Sequence, residues 1–259
     1  MLTLGEQLVL IALDARKGVI RRSPALQFGL NAAGLAELLA AGRISLRRPD
    51  GAFGVTPVAE APVAPLDDRI LDTVLEQVRA MPSGDRHPER CIRKWGEPSL
   101  RLYLDTLRGR GILDWDKPKH PKARYGRFRL VDPAAAAEAR ARVDRVRTGA
   151  EPDARDRDLA GIVHGLGLDA VVYSGIRGRS KRAALASATE KQRFAVLLNS
   201  ALPQLVGQKF MFDSSRDLAM ARAMTSGVSF DVHHGGLGGG GHGGGLGGGG
   251  HGGGGGGHH

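Results

Sequence analysis

Residues 23–46, SPALQFGLNAAGLAELLAAGRISL, constrain the fold more than any other stretch, because they read as a helix with little polar circumference that other elements must cover. Ser23 suits the N-cap, where its oxygen accepts from a free backbone N–H, and Pro24 suits the first helical position, where a missing N–H costs nothing. Leu26, Leu30, Leu35, Leu38 and Leu39 recur near helical spacing with Ala and Gly between them, so neighbouring helices can approach closely. Gly42 supplies a left-handed residue that stops the helix, and Arg43, Ile44, Ser45 and Leu46 then alternate as a half-buried strand does. A central helix turning into a strand is expected.

The remaining segments read as layers around it. Thr3-Leu4-Gly5-Glu6 has capping-box spacing ahead of an apolar run, which predicts a first helix to about Asp14. Arg16, Lys17, Arg21 and Arg22 crowd the loop that follows, next to the partial positive charge of the central helix N-terminus. Pro49-Asp50-Gly51 predicts a turn and residues 53–56 a returning strand, giving a small hairpin. Residues 57–65 form a loop, and Asp67 caps a helix with Ile70, Leu71, Val74, Leu75 and Val78 on one stripe. The neighbouring Asp67 and Asp68 complement the helix dipole and need no catalytic role.

Ile92, Trp95, Leu100, Leu102, Leu104 and Leu107 belong to one or two helices, broken near Gly96-Glu97-Pro98 and ending at Gly111. Residues 112–131 alternate as a long hairpin, with Lys117, Lys119, Lys122, Arg124, Arg127 and Arg129 interleaved with Trp115, Tyr125 and Phe128. Such a hairpin suits a membrane surface, stacked nucleic acid or a second chain. The segment AAAAEARARVDRVR predicts a helix, and Asp153 opens another whose Leu159, Ile162, Val163 and Leu166 face the core, with His164 read as a satisfied core histidine. A basic stretch of Arg177, Arg179, Lys181 and Arg182 follows, and FAVLLNSALPQL closes the core. The fold class is therefore mainly α: a single-domain helical bundle over residues 1–207, with small antiparallel β-hairpins, one of them projecting.

Residues 208–259 end in glycine broken by histidine, which brings no apolar surface and predicts a flexible, disordered tail. His233, His234, His242 and His251 are weak candidates for loose divalent-metal binding; no other metal and no cofactor is expected. The net charge of +10 belongs to the body, since Lys209, Arg216 and Arg222 are balanced by Asp213, Asp217 and Asp231 in the tail. A basic body is drawn to anionic partners, meaning membrane phospholipid or nucleic acid. The single cysteine, Cys91, excludes an internal disulfide and reads as a small buried apolar residue. With no apolar run of spanning length and no basic residues ahead of the apolar N-terminal segment, a cytoplasmic location is expected. No glycine-rich phosphate loop, zinc-protease histidine pair or nucleophile elbow occurs in the body, so no enzyme is expected.

Five blocks occur in this order: LTLGEQLVLIALD, GLNAAGLAELLAAGRISL, PLDDRILDTVLEQV, LRGRGIL followed by the basic hairpin, and DARDRDLAGIVHGLGL. Together they resemble the Golgi phosphoprotein 3 family, and its bacterial branch in particular, from Leu2 to about Val206. The resemblance implies a largely helical domain with a protruding hairpin. It also implies peripheral membrane binding through phosphatidylinositol 4-phosphate, retention of membrane proteins through their cytoplasmic tails, and no enzymatic activity. The family's headgroup site uses a tryptophan, an arginine and two further basic residues. The corresponding positions here are Arg22, Asn31, Glu97 and Leu100, none of which matches.

The phosphoinositide site is therefore not carried over, and Arg21, Arg22, Arg93, Lys94 and Arg101 are headgroup candidates by position only. Trp115, Lys117, Lys119, Lys122, Arg124, Tyr125, Arg127 and Phe128 are candidates for membrane contact by the hairpin. The expected function is peripheral binding of anionic phospholipid at the inner face of the membrane, with an adaptor role implied by the resemblance. The alternative is a nucleic-acid binder using the helix near residues 99–110 and the hairpin as a wing, which requires that helix to be exposed.

Overall fold

The computed structural model describes residues 1–21, 23–47, 53–58, 68–94, 98–116 and 126–207. The turn expected at Pro49-Asp50-Gly51, the break at Gly96-Glu97, the tip of the long hairpin and the tail lie outside them, and the expected domain boundary at 207 falls at their edge. In chain order the elements are α1 (Leu4–Ala12), β1 (Leu13–Asp14), β2 (Val19–Ile20), α2 (Ser23–Ala40), β3 (Ile44–Arg47), β4 (Phe53–Pro57), α3 (Arg69–Ala80), α4 (Pro88–Lys94) and α5 (Pro98–Gly109). They continue as β5 (Leu113–Trp115), β6 (Phe128–Leu130), α6 (Pro133–Thr148), α7 (Ala154–Gly165), α8 (Asp169–Val172), α9 (Arg179–Thr189) and α10 (Arg193–Gly207). The protein is mainly helical, and the described strands form two-stranded antiparallel sheets. Among the described residues no helix is long and apolar enough to cross a membrane.

Helix α2 is central. Its Leu26, Leu30, Ala32, Ala33, Leu35, Ala36 and Leu38 are buried, and α1, α3, α4, α5, α7 and α10 all pack against it. Small residues make this possible: a Cβ on Gly29 would stand 2.2 Å from Leu166 Cδ1, and one on Gly34 would stand 3.2 Å from Val74 Cγ2. Gly42 ends the helix at φ 65°, with its N–H on Leu39 O at 3.1 Å and Arg43 N–H on Leu38 O at 2.8 Å. Strand β3 then pairs with β4, Ile44 opposite Pro57 and Ser45 opposite Thr56.

Three expectations need correction, and one stretch gains an element. Helix α1 stops at Ala12 and not near Asp14, because Leu13 and Asp14 pair with Ile20 and Val19, and the loop that holds Arg16 and Lys17 is a tight turn. The Asp14 carboxylate accepts from Lys17 N–H at 3.2 Å and Gly18 takes φ 64°, which together reverse the chain. Asp68, not Asp67, caps α3, accepting from Ile70 and Leu71 N–H at 2.9 and 3.2 Å. His164 is not a core residue: it lies half-buried at the end of α7, with Nδ1 3.5 Å from Asp169 Oδ2. The basic stretch around Lys181 is helical, as α9, and its pattern hides this because only Leu185 and Thr189 of the helix are buried and its apolar stripe is correspondingly thin.

A buried ionic cluster joins α6 to α7. Arg142 donates to Asp156 at 2.6 Å and to Asp153 at 2.9 Å, while Arg145 donates to both Asp156 oxygens at 2.8 and 3.2 Å. Asp153 also caps α7, in a capping box with Asp156. Burial opposes the Asp156 charge, but hydrogen bonds from Arg145 and Arg142 outweigh it and hold the carboxyl below its ordinary range. A second cluster anchors the first helix: Glu37 accepts from Leu4 N–H at 2.7 Å, and Arg155 reaches both Glu37 and Leu2 O.

Candidate functional site

Of the positions corresponding to the family headgroup site, Asn31 on α2 and Leu100 on α5 are among the described residues. Asn31 is buried on α2, and its Nδ2 donates to Ile92 O at 2.8 Å, so this amide ties α2 to α4. Leu100, at the start of α5, is also buried, while Arg22 and Glu97 lie outside the described residues. A buried amide bonded to backbone and a buried leucine offer no charge to a phosphate.

The substitute cations whose side chains are described, Arg21, Arg93 and Arg101, are each engaged by a neighbour on their own stretch of chain. Arg21 is ion-paired with Asp14, whose carboxyl is held below its ordinary range, chiefly by the hydrogen bond from Arg21. Arg93 is half-buried, with Nε donating to Glu89 O at 3.3 Å, and Lys94 closes α4. Arg101 projects from α5 with its side chain 75% exposed, 3.6 Å from Asp105 one turn along, a pairing that solvent renders weak. No shaped anion pocket joins these groups among the described residues. An open depression along α3 is lined by Asp68, Arg69, Asp72, Thr73 and Glu76, and its carboxylates repel anions.

The base of the long hairpin is better organised. Strands β5 and β6 pair with Leu113 opposite Leu130, Asp114 opposite Arg129 and Trp115 opposite Phe128. The ladder extends further, since Asp116 N–H donates to Arg127 O at 3.1 Å and Gly126 N–H to Asp116 O at 3.2 Å. Trp115 and Phe128 meet edge to face at 5.9 Å between centroids, and the Arg108 guanidinium lies 4.6 Å from the Trp115 ring. Phe128 is buried and Trp115 half-buried, so at the base these rings fasten the hairpin to α5. Asp114 draws in Arg108 at 3.1 Å and Arg129 at 2.8 Å. Its carboxyl is held below the ordinary range, first by the Trp115 N–H.

The β1–β2 turn docks onto this base, a contact that sequence reasoning missed. Phe128 N–H donates to Gly18 O at 2.9 Å and Arg127 reaches Arg16 O at 3.3 Å. Arg16, Lys17 and Arg127 are thereby gathered at one exposed end, and none has an ion pair among the described residues. Lys117, Lys119, Lys122, Arg124 and Tyr125 lie outside those residues, as do His233, His234, His242 and His251 of the tail. The only local signal for the docking is Asp14 followed by Gly18, which marks the turn but not its partner. A Cβ on Gly18 would stand 2.8 Å from Phe128 O at a φ that L side chains rarely adopt. Gly18→Ala is therefore expected to cost about 2 kcal/mol in urea unfolding.

The match to known families agrees with this architecture. The family model for Golgi phosphoprotein 3 (GPP34) matches residues 4–207, and the chain belongs to that family. No curated protein matches the chain.

Proposed function

We propose that the protein attaches peripherally to anionic phospholipid surfaces through exposed surface cations, without a shaped phosphoinositide pocket, and that it acts by binding and not by catalysis. The observation that carries this reading is the cationic end built where the β1–β2 turn meets the hairpin. There Arg16 and Lys17 lie beside Arg127, at the root of residues 117–125, which hold four cations and no carboxylate. Family membership supports a membrane role, and the loss of charge at Asn31 and Leu100 argues against the family's headgroup chemistry. A location on the inner face of the membrane, facing cytoplasmic tails of membrane proteins, follows from the same reading.

The nucleic-acid alternative receives less support. Helix α5 buries Tyr103, Leu104 and Leu107 against the bundle, Leu102 packs against the core, and the outward Arg101 and Arg108 are engaged with Asp105 and Asp114. A recognition helix needs its polar face free for a groove.

Flotation with vesicles of phosphatidylcholine with and without phosphatidylglycerol tests the proposal. Binding is expected only with the anionic lipid, is expected to fall steeply as salt rises, and is expected to show no preference for a phosphoinositide over equally charged lipid. Replacing Lys117, Lys119, Lys122, Arg124 and Arg127 by Gln is expected to weaken it by roughly a thousandfold, with the fold retained. Undiminished binding of that variant, or binding that survives high salt, would overturn the reading.

A further inference from the structure

A second exposed feature lies far along the chain from the hairpin. Residues 170–189 hold four cations, Arg177, Arg179, Lys181 and Arg182, and no carboxylate. Within this stretch Ile176 is 88% exposed, the most exposed large apolar side chain among the described residues. An isolated exposed aliphatic group is ordinary on a protein surface. This one sits at the apex of a turn that is held rigidly.

The turn is held from below. Gly175 adopts φ 75°, and residues Ile176–Gly178 form a single 3-10 turn. Gly178 passes so close to the preceding chain that a Cβ there would stand 2.1 Å from Tyr173 O. Arg182 donates from α9 to both Tyr173 O and Gly175 O, committing its guanidinium to the loop itself. Tyr173 is buried, and its hydroxyl donates to Asp144 at 2.9 Å, which ties the turn to α6. Asp144 is in turn neutralised by Arg147 at 2.7 Å. Arg177, Arg179 and Lys181 remain exposed, with no ion pair among the described residues.

A clamped turn that exposes one aliphatic side chain, followed directly in the chain by exposed cations without carboxylate partners among the described residues, fits an anionic bilayer. The aliphatic group gains by leaving water for the acyl region, and long basic side chains reach the headgroup phosphates just above it. Nucleic acid would instead be served by aromatic rings for stacking, and a protein partner by a broader apolar patch. We propose that residues 175–181 form a second membrane contact, in which Ile176 enters the bilayer and Arg177, Arg179 and Lys181 bind anionic headgroups. This inference rests on the bilayer reading given above, and adds a contact separate from the hairpin.

The experiment uses the full chain. Cys91 is the only cysteine and is buried, so Ile176→Cys creates the one accessible thiol for an environment-sensitive nitrobenzoxadiazole label. Vesicles containing phosphatidylglycerol are expected to raise and blue-shift its emission, and phosphatidylcholine vesicles are not. Ile176→Ser is expected to weaken flotation about tenfold. The triple variant R177Q/R179Q/K181Q is expected to weaken it about thirtyfold. Val196→Ser removes an apolar group 52% exposed on α10 and is expected to change nothing. Melting temperatures should match to within a few degrees, since these side chains are exposed and Lys181 touches the body only through its ammonium, 6.0 Å from the Tyr173 ring. If the protein floats but the label stays in water, the second contact is wrong while the bilayer reading stands. If the unlabelled protein does not float, both fail, and a label that responds to duplex DNA but not to vesicles also overturns the inference.

Discussion

Asp156→Ala is expected to destabilise the protein by about 3 kcal/mol, because it leaves the buried Arg142 guanidinium with Asp153 at 2.9 Å as its remaining carboxylate and removes half of a capping box. Arg142 is 6% exposed at its side chain, and Asp156 receives its Nε at 2.6 Å, so the charge left behind has little access to water. Arg145 also loses its main partner, retaining Glu138 at 3.6 Å. For a domain of this size the loss corresponds to about a 10 °C fall in melting temperature. The double variant Arg142→Met/Asp156→Leu is expected to be milder than the sum of its singles, since removing both charges removes the desolvation cost with the attraction. Equal and additive losses in thermal melts would show that the cluster is not a coupled unit.

The same cluster gives the protein an acid limb. A carboxyl whose folded pKa is depressed adds stability above its unfolded pKa of about 4, and that stability disappears as pH falls through the lower folded value. Asp156 is such a group, so the native protein should lose stability below about pH 4, and Asp156→Asn should flatten that limb while lowering stability at neutral pH. Urea midpoints across pH measure both.

Gly5→Ala should cost about 3 kcal/mol, the upper end of overpacking penalties, because the neighbour has nowhere to go. A Cβ at Gly5 would stand 2.2 Å from Tyr103 Cζ, 2.4 Å from Cε1 and 2.5 Å from the hydroxyl oxygen. These atoms belong to a stiff ring that is 1% exposed in the core between α1 and α5. The corresponding clash at Gly29 falls on the end of Leu166, which rotates more readily, so Gly29→Ala should cost less. Tyr103→Leu would vacate the ring's place, and Gly5→Ala introduced in that background is expected to cost under about 1 kcal/mol. Denaturant unfolding of the four proteins closes the cycle.

Where local chemistry suffices, the elements are legible in the amino-acid sequence. The capping box of Thr3 and Glu6 is formed, Ile70, Leu71, Val74, Leu75 and Val78 are buried on α3 as their spacing requires, and Gly42 and Gly111 take left-handed conformations at helix ends. These features depend on residues within one or two turns of each other, so the chain states them directly. Asp68 in place of Asp67 as the cap is a one-residue matter, since either could precede the first helical N–H groups.

The candidate site is far less legible. Arg21 looks like a free cation until Asp14 is brought across the β1–β2 pairing, and Trp115 looks like a membrane-facing ring until Phe128 and Arg108 close on it. His164 looks like a core residue by its position on the helix, yet it faces Asp169 at the end of α7. The partners of Trp115 are supplied by the fold, and those of Arg21 and His164 by local turns whose geometry side-chain spacing does not encode.

The amino-acid sequence by itself determined the central helix, the order of the layers around it, the basic body and the family, because burial periodicity, caps and block order are properties of neighbouring residues. Only the tertiary structure decided which cations remain unpaired. It set Arg16, Lys17 and Arg127 together at the hairpin base, engaged Asn31 with Ile92, and held Ile176 at the apex of a turn clamped by Arg182. A charge acts on a partner only to the extent that the fold leaves it solvated and unmatched, and that is settled by long-range packing.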